Sequence, residues 1–282
     1  YLLKGVELSR LAAPARWARP AGVTGATRLT KTSFRPAQHI LDAALALQGY
    51  LLEGGSVTLF WQALAGIPTD YSVAVDYLDA SGTLLAQDDK DPQQEPLYGF
   101  RTSRWEPGQT VADIFRGVPT ATAYIRAFLM TGDGRQGQVW GRTAVVQVRP
   151  AAGSPRQPLE ARFGDEIGLL GYDLTVAQTI TLTLTWQPVR PPQKDYTVFV
   201  HAVDAAGAVV GQGDSPPVGN VYPTSEWRPG DVVRDVHVVN LERQAVALRV
   251  GFYDRTTMQR LPASGPGPGA ADYVTIPLQV SP

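Results

Sequence analysis

The stretch from Gly171 to Asp235 decides the fold, because the chain contains it twice. In order, it reads Gly171-Tyr172, Trp186-Gln187, Asp195-Tyr196, Asp204-Ala205-Ala206-Gly207 and Trp227-Arg228-Pro229-Gly230. An earlier copy reads Gly49-Tyr50, Trp61-Gln62, Asp70-Tyr71, Asp79-Ala80-Ser81-Gly82 and Trp105-Glu106-Pro107-Gly108. Self-similarity on this scale indicates a repeated structural unit. We therefore expect one domain at residues 37–150 and a second at 159–282, with an arm at 1–36 and a linker at 151–158.

Within each copy, apolar and polar residues alternate with the period of a β-strand. Val57, Leu59 and Trp61 correspond to Leu182, Leu184 and Trp186. We expect both tryptophans to face a core. Residues 39–50 also fit a helical period, but the matching run at 167–171 is rich in Gly and favours a strand. Eight or so short strands per copy predict an all-β fold of two tandem antiparallel Greek-key sandwiches, Ig-like or jelly-roll-like.

Composition narrows the class of protein. Of 282 residues, 44% are hydrophobic and 18% are charged, which is typical of a globular chain. There is no cysteine, which excludes disulfides, a thiolate nucleophile and cysteine-ligated zinc. No run reaches the roughly 18 apolar residues of a membrane span. Because the chain begins at Tyr1 rather than Met, we interpret it as a processed product or a fragment.

Charge is divided unevenly along the chain. Residues 1–36 carry seven basic side chains and one acidic one, whereas the remainder carries 18 basic and 25 acidic ones. A basic arm on an acidic body suggests docking of the arm on the same or a neighbouring body; a solvated linker is the alternative. Nucleic-acid binding is disfavoured, because the bases are scattered and the body is acidic.

No catalytic motif is present. The chain lacks a nucleophile elbow, a Walker A loop, a dinucleotide-binding fingerprint and a zinc-protease motif. Its three histidines, His39, His201 and His237, are far apart in sequence. In the first copy Asp76 replaces His201 and Phe115 replaces His237, so a catalytic site common to both domains cannot use them; a site in the second domain alone is the alternative. The sequence therefore predicts no enzyme, no catalytic residues and no cofactor.

Acidic residues offer one metal hypothesis. Four aspartates recur in both copies, and three of these pairs lie beside turns, where aspartate bonds backbone N–H groups. Asp88, Asp89 and Asp91 are the best calcium candidates, since calcium prefers oxygen ligands. They lack EF-hand spacing, and Lys90 opposes the site, so this signal is weak.

Aromatic residues in loops offer a ligand hypothesis. Trp105 and Trp227 lie in matching loops, with Tyr98 and Tyr222 nearby. Exposed rings at the end of a sandwich can stack on the apolar faces of sugars. A tryptophan before Pro-Gly can equally fold back and cover the sandwich end, and its presence in both copies favours that structural role.

One family resemblance follows from these motifs. It is carried by Leu169-Leu170-Gly171-Tyr172-Asp173-Leu174, Thr185-Trp186-Gln187, Asp195-Tyr196-Thr197-Val198-Phe199-Val200-His201, Tyr222-Pro223-Thr224-Ser225 and Trp227-Arg228-Pro229-Gly230. This set resembles an uncharacterised family of bacterial extracytoplasmic β-sandwich repeats, of the kind appended to polytopic glycosyltransferase-39-type membrane proteins. The resemblance covers about 160–280 well and 37–150 more weakly. It implies fold and location and carries no catalytic residues.

These observations lead to two functional hypotheses. The first is a non-enzymatic extracytoplasmic protein, secreted or on the cell surface, with a structural or assembly role. Its partner would be another copy or another cell-surface protein, and strand addition by Tyr1, Leu3, Val6 and Leu8 to a sheet edge would build the assembly. The alternative is a carbohydrate-binding accessory module of a cell-surface or membrane glycosyltransferase system, using the loop aromatics.

Overall fold

The structure is a computed structural model that describes residues 2–4, 34–41, 43–90, 101–131, 138–149, 153–265 and 271–278. It is all-β, as predicted, and these residues contain no α-helix. The chain divides into two compact units. The first comprises Tyr1–Asp79 and Leu84–Val148, and the second comprises Ala80–Thr83 and Arg149–Pro282.

The first unit is built from strands β1 to β9. They are β1 (Leu2–Lys4), β2 (Phe34–Ile40), β3 (Leu45–Glu53), β4 (Ser56–Ala63), β5 (Ser72–Leu78), β6 (Leu84–Lys90), β7 (Gln109–Arg116), β8 (Tyr124–Thr131) and β9 (Gln138–Gln147). One sheet has the order β1-β7-β4-β3-β2 and the other β6-β5-β8-β9. Each neighbouring pair is antiparallel.

The second unit repeats this plan with strands β10 to β18. They are β10 (Gln157–Phe163), β11 (Ile167–Val176), β12 (Thr179–Pro188), β13 (Tyr196–Val203), β14 (Val209–Gln212), β15 (Val233–Asn240), β16 (Ala247–Asp254), β17 (Ala263–Ser264) and β18 (Val274–Pro277). The sheets have the orders β15-β12-β11-β10-β17 and β14-β13-β16-β18. After β12 the chain crosses to the other sheet for the β13–β14 hairpin, then returns as β15 beside β12. This crossing gives the predicted Greek key.

Strand bounds refine the sequence-based divisions. In the ambiguous stretch at residues 39–50, residues 39–40 end β2 and residues 45–50 begin β3, so strand is found where the second copy indicated it and no described residue of the stretch is helical. Strand β2 begins at Phe34, inside the predicted arm, and β10 begins at Gln157, inside the predicted linker. Both strands join the five-stranded sheet of their unit.

Aromatic side chains from both sheets meet in the core of the second unit. Trp186 of β12 is fully buried, and its ring lies 4.7 Å from the ring of Phe252 on β16. Phe163 of β10 contacts both rings edge-on, at 5.6 and 5.4 Å. Trp61 is equally buried in the core of the first unit. The prediction that both tryptophans are core residues is confirmed.

The same pair of hydrogen bonds in both units explains why the Thr-Ser-x-Trp motif occurs twice. In the second unit, the Thr224 hydroxyl accepts a hydrogen bond from the Tyr196 N–H at 2.8 Å and donates one to the Lys194 carbonyl at 2.7 Å. In the first unit, Thr102 makes the corresponding contacts with Tyr71 and Thr69. Both threonines are fully buried. Each motif therefore fixes the start of the strand that enters the second sheet.

Gly171 lies at a bulge between β10, β11 and β12. Its φ is +153°, and a Cβ atom there would stand 2.4 Å from the Gln157 carbonyl oxygen and 2.7 Å from the Pro155 ring. We expect Gly171→Ala to lower the free energy of unfolding by about 1–3 kcal/mol, because backbone rather than a flexible side chain would have to move. Urea denaturation measures this. As a control, Gly66→Ala, where a Cβ would have no neighbour within 4 Å, should not destabilise the chain.

Candidate functional site

The loop aromatics proposed as a sugar-stacking platform are buried. Trp105 is 3% exposed, Tyr222 1% and Trp227 0%. The Trp227 indole N–H donates to the Tyr222 carbonyl at 2.9 Å, and the Tyr222 hydroxyl donates to Asp231 at 2.6 Å. This burial fits the structural role that recurrence of the tryptophans favoured, because rings packed inward present no face to a sugar. Ligand binding by these residues stays a prediction. Tyr98 lies outside the described residues.

The calcium candidates do not converge on one point. Asp88 and Asp89 are consecutive residues of β6, so their side chains point to opposite faces of the sheet. Asp91 lies outside the described residues. Within the ranges that the structure describes, no group of three or more His, Cys, Asp or Glu side chains could hold a metal ion. Calcium binding stays a prediction.

Of the assembly residues, Leu3 has a described position. It lies in β1, which pairs with β7 through Leu2 opposite Val111, Leu3 opposite Thr110 and Lys4 opposite Gln109. The N-terminal segment thus adds a strand to the edge of the five-stranded sheet of the first unit. Tyr1, Val6 and Leu8 lie outside the described residues.

Three polar side chains that the sequence did not connect meet in the second unit. The Ser215 hydroxyl lies 3.1 Å from His237 Nδ1, and His237 Nε2 lies 2.7 Å from Asp235 Oδ2. His237 and Asp235 are each 1% exposed. The contacts run from serine to histidine to aspartate, as they do in a hydrolase triad. Whether His237 could act as a base depends on the hydrogen bonds of its two nitrogens.

The hydrogen bonds around His237 oppose that role. Its Nδ1 also lies 2.9 Å from the Gly213 carbonyl oxygen, which can only accept a hydrogen bond. Burial lowers the pKa of His237, but the hydrogen bond and charge of Asp235, the Gly213 carbonyl and the charge of Asp214 outweigh it and raise the pKa above its ordinary value. An imidazolium that donates from both nitrogens cannot take the proton of Ser215. With His237 protonated, the arrangement is a buried ion pair rather than a nucleophile with its base.

The first unit also contains a buried aspartate, and a different residue supplies the positive charge beside it. Lys90 Nζ lies 2.8 Å from Asp113 Oδ1 and 4.3 Å from the centre of the Phe115 ring. By strand register, Lys90 lies opposite Val73 as Ser215 lies opposite Val198. Asp113 and Phe115 occupy the places of Asp235 and His237. Each unit therefore neutralises a buried aspartate, once with a lysine from the neighbouring hairpin and once with a histidine on the same strand.

Sequence reasoning missed this cluster because it compared single positions. The replacement of His237 by Phe115 in the other copy indicated that no catalytic site common to both domains uses His237, yet the retained aspartate beside it requires a cation once buried. Asp235 also accepts the Val218 N–H at 2.9 Å and the Trp186 indole N–H at 3.4 Å. Its recurrence in both copies was the available signal.

Comparisons with known proteins add little. No family model matches the chain, and no curated protein does. Among solved structures, two of a β-glucuronidase from Ruminococcus gnavus align with 91% of this chain and 40% of theirs, at 8% and 9% identity. Their TM-scores are 0.19 and 0.18, so the likeness carries no argument. In the described residues, no helix is long and apolar enough to cross a membrane.

Proposed function

We propose that this chain is a non-enzymatic structural or assembly protein that acts outside the cytoplasm. The observation that carries this proposal is the antiparallel pairing of β1 with β7. Pairing of a short N-terminal strand with a sheet edge is the interaction used in strand addition, in which backbone hydrogen bonds supply the affinity. The extracytoplasmic location rests on the resemblance to the bacterial sandwich repeats.

The buried clusters agree with a scaffold. The Ser215, His237 and Asp235 contacts place a donor where a general base would be needed. The aspartates beside turns serve the backbone, since Asp204 accepts from the Ala206 and Ala208 N–H groups at 3.0 and 2.9 Å. Trp105 and Trp227 contribute to the buried interior. Each of these residues has a structural task, and that task accounts for the recurrence of Asp204, Asp235 and the two tryptophans.

Assembly would use the same strand pairing between copies. An edge strand presents backbone N–H and C=O groups to any extended segment. Because β1 is three residues long and lies at the edge of its sheet, the β1 of one copy can pair with β7 of a second copy through identical contacts. Exchange of an identical element is a low-cost route to self-association. The partner is therefore another copy of this chain.

Light scattering after size exclusion tests the proposal on the full chain and on residues 34–282. We expect the full chain to form dimers or larger species, and the truncated chain to be monomeric. Leu3→Pro should act like the truncation, because proline removes the N–H of the central residue of β1. Ala26→Pro, in the same arm but away from β1, serves as the matched control and should stay assembled. A monomeric full chain at all concentrations would refute the proposal.

A further inference from the structure

The chain between β14 and β15 is held against the second unit at several points. We call Gly213–Val218 the crossing segment. Its Gly213 carbonyl faces His237 Nδ1, its Ser215 hydroxyl faces the same nitrogen, and its Val218 N–H donates to Asp235. All three contacts therefore depend on one buried ion pair.

A second set of contacts attaches the crossing segment to β13. Asp214 accepts the Val200 N–H at 3.1 Å and lies 3.3 Å from His201 Nε2. Ser215 and Val198 exchange backbone hydrogen bonds of 3.0 and 3.1 Å. These contacts do not involve the charge of His237. A change in the protonation of His237 therefore acts on the contacts that the crossing segment makes with β15.

The internal repeat supplies a built-in comparison. In the first unit the buried Asp113 pairs with Lys90, and lysine is a residue type that ordinarily titrates far above neutral pH. In the second unit the cation is an imidazolium, which is the side chain that titrates near neutral pH. Two otherwise corresponding sites thus differ in whether their charge can be removed.

We propose that the Asp235–His237 pair is a pH-sensitive latch, which holds the crossing segment closed at acidic pH and releases it as the pH rises. When His237 loses the proton of Nδ1, that nitrogen becomes an acceptor: the Ser215 hydroxyl can donate to it, but the Gly213 carbonyl oxygen 2.9 Å away cannot. Two lone pairs then oppose each other where a hydrogen bond was. The Lys90–Asp113 pair occupies the corresponding position in the first unit, and we expect no such pH response there.

The direction of the effect follows from proton linkage. The charged groups around His237 are Asp235 on its own strand and Asp214 on the crossing segment, with His201 of β13 beyond Asp214. Both aspartates raise the pKa of His237 in the closed state. Stabilisation is therefore complete below the pKa of a free histidine, about 6.5, and is lost as the pH rises through the closed-state pKa. Between those values, opening should increase by up to about tenfold per pH unit.

Hydrogen exchange on the full chain, from pH 5.5 to 8.5 and corrected for intrinsic rates, measures this opening. We expect protection of peptides covering residues 209–221 to fall with pH, while peptides covering β6 stay level. NMR of the three histidine rings gives the pKa of His237 directly, and we expect a value above that of a free histidine. A pKa at or below that value, or level protection at 209–221, would overturn the proposal.

A transplant of the first unit's arrangement gives the sharpest variant. Ser215→Lys combined with His237→Phe places the Lys90 and Phe115 chemistry around Asp235. This double variant should keep the segment protected at all pH values, whereas His201→Gln, which leaves the ion pair intact, should keep the wild-type profile. If the double variant is folded and follows the wild-type profile, His237 is not the titrating group and the latch is refuted. The NMR measurement on the wild-type chain decides the matter if the double variant does not fold.

Discussion

Asp235→Ala is expected to lower the free energy of unfolding of the second unit by about 3–5 kcal/mol. The carboxylate neutralises His237 and accepts the Val218 and Trp186 N–H groups. Alanine would leave a buried cation without its partner and two buried donors without an acceptor, at a site that is 1% exposed. Urea denaturation near pH 6, followed by tryptophan fluorescence, measures the loss.

An exposed ion pair in the same unit provides the matched control. Asp165 pairs with Arg190 at 2.6 Å, but its side chain is 79% exposed. Asp165→Ala should cost less than about 1 kcal/mol, because solvent screens the pair and hydrates the remaining charge. If Asp235→Ala cost no more than Asp165→Ala, the buried pair would not be the anchor of this region.

The fold could be predicted because its signals are local and duplicated. Alternation of the kind seen at Val57, Leu59 and Trp61 marks a strand with one buried face, and a second copy with the same spacing resolves the ambiguous cases. The stretch 39–50 shows how the second copy helps. Its own periodicity allowed a helix, whereas its counterpart at 167–171 favoured a strand, and the structure has strand β3 from Leu45.

The direction of the loop aromatics was not decided by sequence, because burial in a loop depends on tertiary packing. By composition alone Trp105 and Trp227 fit an exposed platform as well as a buried position, and their recurrence was the one feature that favoured the buried position. Their neighbours made the difference: Thr102 and Thr224 bind the backbone of the preceding loop and turn the chain inward. That contact spans about thirty residues and has no local signature.

The buried ion pairs were hidden for a different reason. Asp113 and Asp235 recur, but their cations do not, because Lys90 with Phe115 in one unit is replaced by Ser215 with His237 in the other. The two changes compensate each other across strands that are 22 to 25 residues apart in sequence. Compared one position at a time, the change from Lys90 to Ser215 and the change from Phe115 to His237 look unrelated. They are connected because each buried aspartate needs one cation beside it.

Trp227→Ala should likewise lower the free energy of unfolding by about 3–5 kcal/mol, the range found when a large buried aromatic side chain is truncated to alanine. Trp227 is 0% exposed, and its indole N–H donates to the Tyr222 carbonyl. Asp231, which accepts the Tyr222 hydroxyl, also accepts the Arg228 N–H at 2.6 Å. Truncation would therefore leave a cavity in the place of the ring and remove the hydrogen bond to the Tyr222 carbonyl.

Two further variants separate the loss of volume from the loss of the hydrogen bond. Trp227→Phe keeps most of the ring and removes the N–H, so we expect a smaller loss, of about 1–3 kcal/mol for the unsatisfied Tyr222 carbonyl and reduced packing. Val238→Ala, at a site that is 53% exposed, should change stability by less than about 0.5 kcal/mol. A ring that served as a sugar platform would behave like Val238, since an exposed side chain contributes little to folding. A Trp227→Ala loss as small as that of Val238→Ala would therefore restore the carbohydrate-binding alternative, and a loss in the expected range makes Trp227 a structural residue.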